Sequence, residues 1–317
     1  MGGALDPTVA KARNLVRDNL ADLGPGSRLV VGVSGGADSL ALAAATAFIA
    51  AKESYALRAV VIDHQLQDGS AGVAAEALER VQSLGVEGHV VPVVVGADGG
   101  MEAAARHARH TVFDTLEADA VLLGHTLDDQ AETVLLGLGR GSGPRSIAGM
   151  AAVNGRYRRP FLGLTRAETE TVCKASGLEW WTDPHNADPS YTRVRLRREV
   201  LPLLEDVLGG GVAKALARTA DFLRTDNDFL DAAAAAHTGR LSAAELSGLA
   251  PAIRGRVLRT AAIAAGADSS ALAAHHIRGI DELVTNWHGQ VHVDLPGGVT
   301  AFRVGDALTF GPAPVGR

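Results

Sequence analysis

Arg28-Leu-Val-Val-Gly-Val-Ser-Gly-Gly-Ala-Asp-Ser39 decides how the rest of this chain reads. The apolar, β-branched run 29–33 has the composition of a buried strand. Ser34-Gly35-Gly36 closes it, and Asp38-Ser39 open the alanine- and leucine-rich segment 40–51, which reads as a helix. Adjacent glycines let the backbone turn tightly and approach a ligand with no Cβ in the way. A helix behind them aims unpaired N–H groups and the positive end of its dipole at the same spot, which suits an anion. The Gly-Lys-Ser/Thr ending of a Walker loop is absent, and so is Gly-x-Gly-x-x-Gly.

Outward from that loop, residues 28–138 alternate strand-like segments (29–33, 57–63, 88–94, 120–123) with helix-like ones (39–51, 70–84, 101–116, 128–138). Such alternation predicts an α/β fold: a Rossmann-like parallel sheet flanked by helices, with ligands at the carboxyl ends of its strands. A helix over 7–23 precedes it. Residues 139–154 lack periodicity and read as a loop. Helical pattern returns over 165–176 and from Tyr191 into Leu204. Gly209-Gly-Gly211 is the expected domain break, giving a catalytic domain over 1–208 and a smaller α+β domain over 209–317. The latter begins with alanine-rich helices, one opened by the capping box Ser242-Ala-Ala-Glu245 and one over 270–284, and ends in a β-meander over 291–310.

Bulk composition narrows the classes. Of 317 residues 47% are hydrophobic but only 4% aromatic, so alanine, leucine and valine must fill the cores. The longest apolar run, 40–51, is too short for a bilayer, and the first residues lack a basic, apolar leader, so a cytoplasmic protein with no membrane partner is expected. Cys173 is the only cysteine, which excludes internal disulfides and cysteine-ligated clusters within one chain. It reads as a small packing residue. A net charge of -6 argues against wholesale nucleic-acid binding, but 140–199 carries eleven Arg/Lys against six acids. Tyr157, Trp180, Trp181 and Tyr191 are interleaved there, a pattern that suits an RNA contact surface.

Three further groups carry chemistry. Asp63-His64 end the second strand at the edge where an adenine or ribose would lie; an ordinary polar strand end is the alternative. Gly124-His125 end the fourth, and Asp129 and Glu132 follow, three apart on one face of the next helix. Paired carboxylates there suit an ammonium group or a phosphate-bearing magnesium ion, although acids in a first turn also suit a helix dipole. Glu102, Arg106 and Arg109 share a helix face, either as surface ion pairs or as a source of positive charge for a phosphate.

Ser34-Gly-Gly-Ala-Asp-Ser39 resembles the PP-loop of the N-type ATP pyrophosphatases. With Val61-Ile-Asp-His64, Glu102/Arg106/Arg109, Gly124-His125, Asp128-Asp-Gln-Ala-Glu-Thr133, Arg140-Gly-Ser-Gly143, Arg159-Pro160, Asp183-Pro-His-Asn-Ala-Asp188, Tyr191, Arg193 and Leu196-Arg197, the chain is similar to the tRNA(Ile)-lysidine synthases. Leu295-Pro-Gly-Gly298 with Phe302-Arg303 resembles that family's first C-terminal domain, in its short form. Where the family often has His-His after the fourth strand, this chain has His125-Thr126.

The resemblance implies a ligase that joins lysine to C2 of the wobble cytidine of a CAU-anticodon tRNA(Ile), through an adenylated cytidine, with ATP going to AMP and pyrophosphate. It implies Ser34, Gly35, Gly36, Ala37, Asp38, Ser39, Asp63, His64 and Arg109 at ATP, and magnesium with ATP near Asp38. Asp38, Arg106, His125, Asp129 and Glu132 would be catalytic, with Asp129 and Glu132 also holding lysine. Arg140, Arg145, Arg193 and Arg197 would meet tRNA, the C-terminal domain would take part in tRNA binding, and a homodimer is expected. A tRNA 2-thiocytidine synthetase, needing cysteines, a small-molecule amide-forming synthetase and a nucleotide sensor of universal-stress-like fold are the rival readings.

Overall fold

The computed structural model describes residues 5–96, 100–141, 143–237, 239 and 241–312. They pack as two compact units, Met1–Thr133 with Met150–Ala217, and Val134–Gly149 with Arg218–Arg317.

The first unit holds a six-stranded sheet. Its strands are β1 (Arg28–Val33), β2 (Ala56–Asp63), β3 (Glu87–Pro92), β4 (Ala120–Leu122), β5 (Val153–Asn154) and β6 (Tyr157–Arg158), in the order β3-β2-β1-β4-β6-β5. All neighbours are parallel except β5 with β6. β1 pairs with β2 on one side (Leu29 opposite Leu57) and β4 on the other (Leu29 opposite Ala120), so strand order reverses between β1 and β4. Loops leaving two such strands turn in opposite directions and leave a crevice between them.

The helices are α1 (Pro7–Asn19), α2 (Ala37–Glu53), α3 (Ser70–Gln82), α4 (Met101–Thr115) and α5 (Leu127–Arg140). α2 is apolar nearly all round because it is buried nearly all round: Leu40, Leu42 and Ala43 are fully covered. On the opposite sheet face Phe113 of α4 packs with Val30, Val60, Val121 and Leu123. Gly32 lets that ring approach, since a Cβ there would lie 2.7 Å from it.

The expected α/β fold is present, with two strands more than the periodicity shows. The segment expected as a loop over 139–154 contains α6 (Pro144–Ile147) and β5. One helical turn and a two-residue strand are too short to display a period. Arg158 on β6 is buried and held by Asp22 at 2.7 Å and the Asn19 carbonyl.

α7 (Arg166–Ala175) starts on a complete capping box, Thr165 with Glu168. The helical pattern expected from Tyr191 into Leu204 is present as one uninterrupted run of α8 (Thr192–Arg195), a π-turn over Leu196–Val200 and α9 (Leu201–Val207). Pro202 accounts for the π-turn. Its ring would meet the carbonyl four residues back in a regular α-helix, and the wider turn, closed by the Leu201 N–H on the Leu196 carbonyl, makes room.

The second unit contains α11 (Ala243–Ser247), α12 (Pro251–Ala264), α13 (Ala274–Thr285) and the antiparallel meander β7 (Val293–Leu295), β8 (Val299–Val304) and β9 (Ala307–Pro312), around Leu258, Ile280, Leu283 and Ala301. The helix expected from 270 starts at Ala274. Only half of the expected capping box forms: Ser242 accepts the Glu245 N–H, while the Asp306 carboxylate accepts the Ala244 N–H and the Ser242 hydroxyl.

The unit boundary lies within α10 (Val212–Ala235), not at Gly209–Gly211, and 134–149 joins the second unit. Arg145 pairs with Asp231 at 2.5 Å, Arg224 donates to the Ala148 carbonyl, and Gly137 leaves room for the Ser146 backbone. No helix among the described residues is long and apolar enough to cross a membrane.

Gly124 sets the packing between the end of β4 and the start of α2: a Cβ there would lie 3.0 Å from the Asp38 carbonyl and the Ser39 nitrogen. Gly124→Ala is therefore expected to lower stability by roughly 1–3 kcal/mol through overpacking and to lower Tm in thermal melts. An unchanged Tm would show that this approach is not close in solution.

Candidate active site

A cleft of about 770 Å³ opens at the carboxyl edge of β1, β2 and β4. One wall is the glycine loop. Gly35 has φ +82°, the left-handed conformation that favours glycine, and its carbonyl accepts the Trp181 N–H at 3.0 Å. The Ser39 hydroxyl donates to the Gly36 carbonyl at 3.0 Å and accepts the Ser34 N–H at 3.1 Å, tying the turn to the helix it precedes. α2 begins at Ala37 with no side-chain cap, so its first-turn N–H groups remain for an anion.

Asp38, Asp129 and Glu132 come together, bound to three arginines. Asp38 accepts Arg166 Nε at 3.2 Å and the Thr169 hydroxyl. Asp129 accepts the Thr126 N–H at 2.8 Å and its hydroxyl at 2.9 Å, and pairs with Arg166 at 3.3 Å and Arg197 at 3.7 Å. The Glu132 side chain is fully covered, pairs with Arg197 at 2.7 Å, and lies 3.6 Å from Arg193. α8 and the π-turn carry those two arginines to the same carboxylate.

Environment separates the acids. Burial pushes Asp38 and Glu132 above their ordinary range, against the pull of Arg166 and Arg197 respectively. At Asp129 burial pulls upward too, but Arg166 and the Thr126 N–H and hydroxyl outweigh it and hold the carboxyl below its ordinary value. His64 and His125 both fall below their ordinary values, through burial first and then the nearby positive charge, with Arg109 acting on each. Both rings are neutral at pH 7. The Nδ1 of each is buried with no hydrogen-bond partner among the described residues.

Ser34, Gly36, Ala37, Asp38, Ser39, Asp63, His64, Arg109, His125, Asp129 and Arg197 line the cleft, as do Arg166, Trp180, Trp181 and Asp183. Asp63 is buried and caps the turn after β2 by accepting the Gln65 N–H at 2.9 Å. Arg106 is exposed on α4 and does not line the cleft, though its charge reaches His125. The Glu102 side chain lies outside the described residues. Arg140 is exposed at the end of α5, and Arg145 pairs with Asp231. Arg193 and Arg197, expected at RNA, are engaged with Glu132 and Asp129. Tyr157 bonds Asp114 and stacks edge-on with His110, which makes it a packing residue.

Residues 7–204 match the family described as PP-loop domain, and residues 241–309 match the TilS substrate binding domain. Several curated relatives share about half the residues. The tRNA(Ile)-lysidine synthase of Thermobifida fusca is 52% identical over 92% of this chain and 94% of its own length. That of Streptomyces coelicolor is 51% identical over 89% and 84%, and that of Mycobacterium tuberculosis 52% over 83% and 83%. The chain belongs to the tRNA(Ile)-lysidine synthase family. Its fold is also similar to that of the U34-tRNA thiolase NcsA from Methanococcus maripaludis, with a TM-score of 0.56 at 17% identity over 68% of this chain and 79% of that one.

Within this synthase fold, Arg166, Thr169 and Thr126 are structural partners of the acids that sequence spacing does not single out, and Asp128 holds the Arg166 backbone N–H. Thr165-x-x-Glu168 marks a helix start, and an arginine at its first position reads as solvated. Only the approach of α7 to α2 and α5 turns Arg166 into a bridge.

The raised Glu132 has a consequence for stability. Its folded state binds a proton more tightly than the unfolded chain does, so its contribution is present below pH 4.5 and is lost as pH rises through the folded pKa. Glu132→Gln keeps the shape without the charge. Its Tm relative to wild type should therefore climb between pH 4.5 and 7 while lysidine formation falls; a gap that shrinks over that range contradicts the assignment.

Proposed function

We propose that this chain joins lysine to C2 of the wobble cytidine of a CAU-anticodon tRNA(Ile), using ATP and releasing AMP and pyrophosphate. What carries the proposal is that one cleft is lined by both an uncapped glycine-loop helix and Asp129 of α5, with Glu132 buried one turn further along the same helix, in a chain of this family.

The loop from Ser34 to Ser39 would seat the triphosphate, its N–H groups binding the pyrophosphate as it leaves. His64, Asp63 and Arg109 line the side where the nucleoside would lie. His125 is neutral, so it supports the α-phosphate as an N–H donor, while Arg109 supplies the positive charge that Arg106, outside the cleft, does not. Magnesium commonly takes one or two carboxylates plus phosphate oxygens and water, and the half-buried Asp38 suits that donor set. Asp38 would hold the ion, whose charge would offset that of the departing pyrophosphate.

The C2 oxygen of cytidine attacks the α-phosphorus and pyrophosphate leaves. The lysine ε-amine then attacks C2, and AMP departs with that oxygen. Asp129, held ionised, would keep the lysine ammonium in place. Glu132, with its raised proton affinity, is the better group to take the proton released as the amine attacks. Arg193 and Arg197 hold these acids in the free chain and would contact RNA or phosphate once lysine and tRNA arrive. The exposed Arg140 is the simplest candidate for a direct phosphate contact, and residues 241–309 would add to tRNA binding.

Cys173 argues against sulfur transfer. It is buried, donates to the Ala37 carbonyl at 3.2 Å, and its thiol is pushed up to about 12 by burial first and then by Asp38.

Asp129→Asn should cut incorporation of radiolabelled lysine into a CAU-anticodon transcript by at least about 100-fold. Circular dichroism should remain unchanged, and a single turnover of pyrophosphate should persist. Undiminished incorporation would remove Asp129 from the mechanism, and wild-type incorporation absent with that transcript would remove the proposal.

A further inference from the structure

Arg166 contacts both halves of the cleft. Its backbone is rigidly placed: Asp128 accepts its N–H at 2.9 Å, the Thr165–Glu168 capping box fixes the helix start, and Lys11 holds Glu168 at 2.7 Å. Its side chain, 29% exposed, reaches into the cleft and lies 3.2 Å from Asp38 and 3.3 Å from Asp129. Asp38 stands in the first turn of the glycine-loop helix, and Asp129 stands in the first turn of α5.

We propose that Arg166 is a positioning residue that couples the two substrate subsites, bridging Asp38 on the ATP side to Asp129 on the lysine side, so that nucleotide tightens lysine binding. This rests on the function proposed above. A triphosphate on the glycine loop sets several negative charges within reach of the guanidinium, whose planar fork matches phosphate oxygens. As Arg166 turns to them, Asp129 keeps its two Thr126 bonds but loses its nearer cation, retaining the 3.7 Å contact with Arg197. A carboxylate stripped of a neighbouring positive charge attracts an ammonium more strongly. By linkage, lysine tightens nucleotide by the same factor.

The test is calorimetric titration of lysine into the full chain saturated with a CAU-anticodon transcript, with and without an ATP analogue carrying an α,β-methylene bridge. In the wild type the analogue should tighten lysine binding by about 5-fold or more. In Arg166→Gln, lysine should bind more tightly than in wild type when nucleotide is absent, and the analogue should leave its affinity unchanged. Arg166→Lys, a single point charge that cannot bridge both acids, should show a smaller coupling than wild type. A purely structural arginine predicts weaker binding of both ligands with the ratio preserved, and that result overturns the proposal. So does a wild type that binds both ligands without coupling. A wild type that binds neither lysine nor the analogue sinks the proposed function itself, and the coupling falls with it.

Discussion

Three carboxylates crowd together at the wall of one cleft, two of them lining it and Glu132 buried behind, and burial of that kind is tolerable only where cations stand beside them. Asp38 and Asp129 come from the first turns of two helices and Glu132 from the turn after Asp129, while Arg166, Arg193 and Arg197 come from α7, α8 and the π-turn. An isolated buried carboxylate would take up a proton rather than remain charged. The opposed shifts of the acids follow from how that compensation is shared. Asp129, with Thr126 and two arginines, keeps its charge below the usual pH range, whereas Asp38 and Glu132 are left on the high side. One site thereby holds an acid suited to bind a cation and another suited to accept a proton.

The fold exists to bring those helix starts together. Strand order reverses between β1 and β4, so the loops after them diverge and open a crevice in which both α2 and α5 begin. Two glycines permit the approach. Gly35 turns the chain with a positive φ, and Gly124 lets β4 end against the backbone of Asp38 and Ser39. Cys173, the one thiol, serves this same region as a buried packing residue under Ala37, consistent with chemistry that needs no sulfur nucleophile. The π-turn ahead of Pro202 likewise serves the site, because it carries Arg197, and α8 before it carries Arg193, to Glu132.

Much was legible in the chain itself. Strand and helix periods over 28–138 mark the parallel sheet, because each segment is long enough to show which face is apolar. The glycine loop, Asp63-His64, Gly124-His125 and the Asp129/Glu132 pair could be placed at one edge of the sheet because parallel α/β strands all end there. Less legible were β5, β6 and α6, which have too few residues to show a period, and the unit boundary, where Gly209–Gly211 is flexible in composition yet 134–149 and α10 are tied by Arg145–Asp231.

Sequence alone determined the α/β class, the anion loop and the identity of the acids, since these depend on local periods and on residue type at strand ends. Tertiary structure alone decided which charges meet. Arg166 looks like a solvated helix arginine, and Arg193 and Arg197 like RNA contacts, until α7, α8 and the π-turn bring them to the acids of α2 and α5, and Arg106 and Arg109, three residues apart, divide between surface and cleft. Coulomb interactions depend on separation in space across a low-dielectric interior, and no spacing along the chain encodes that distance.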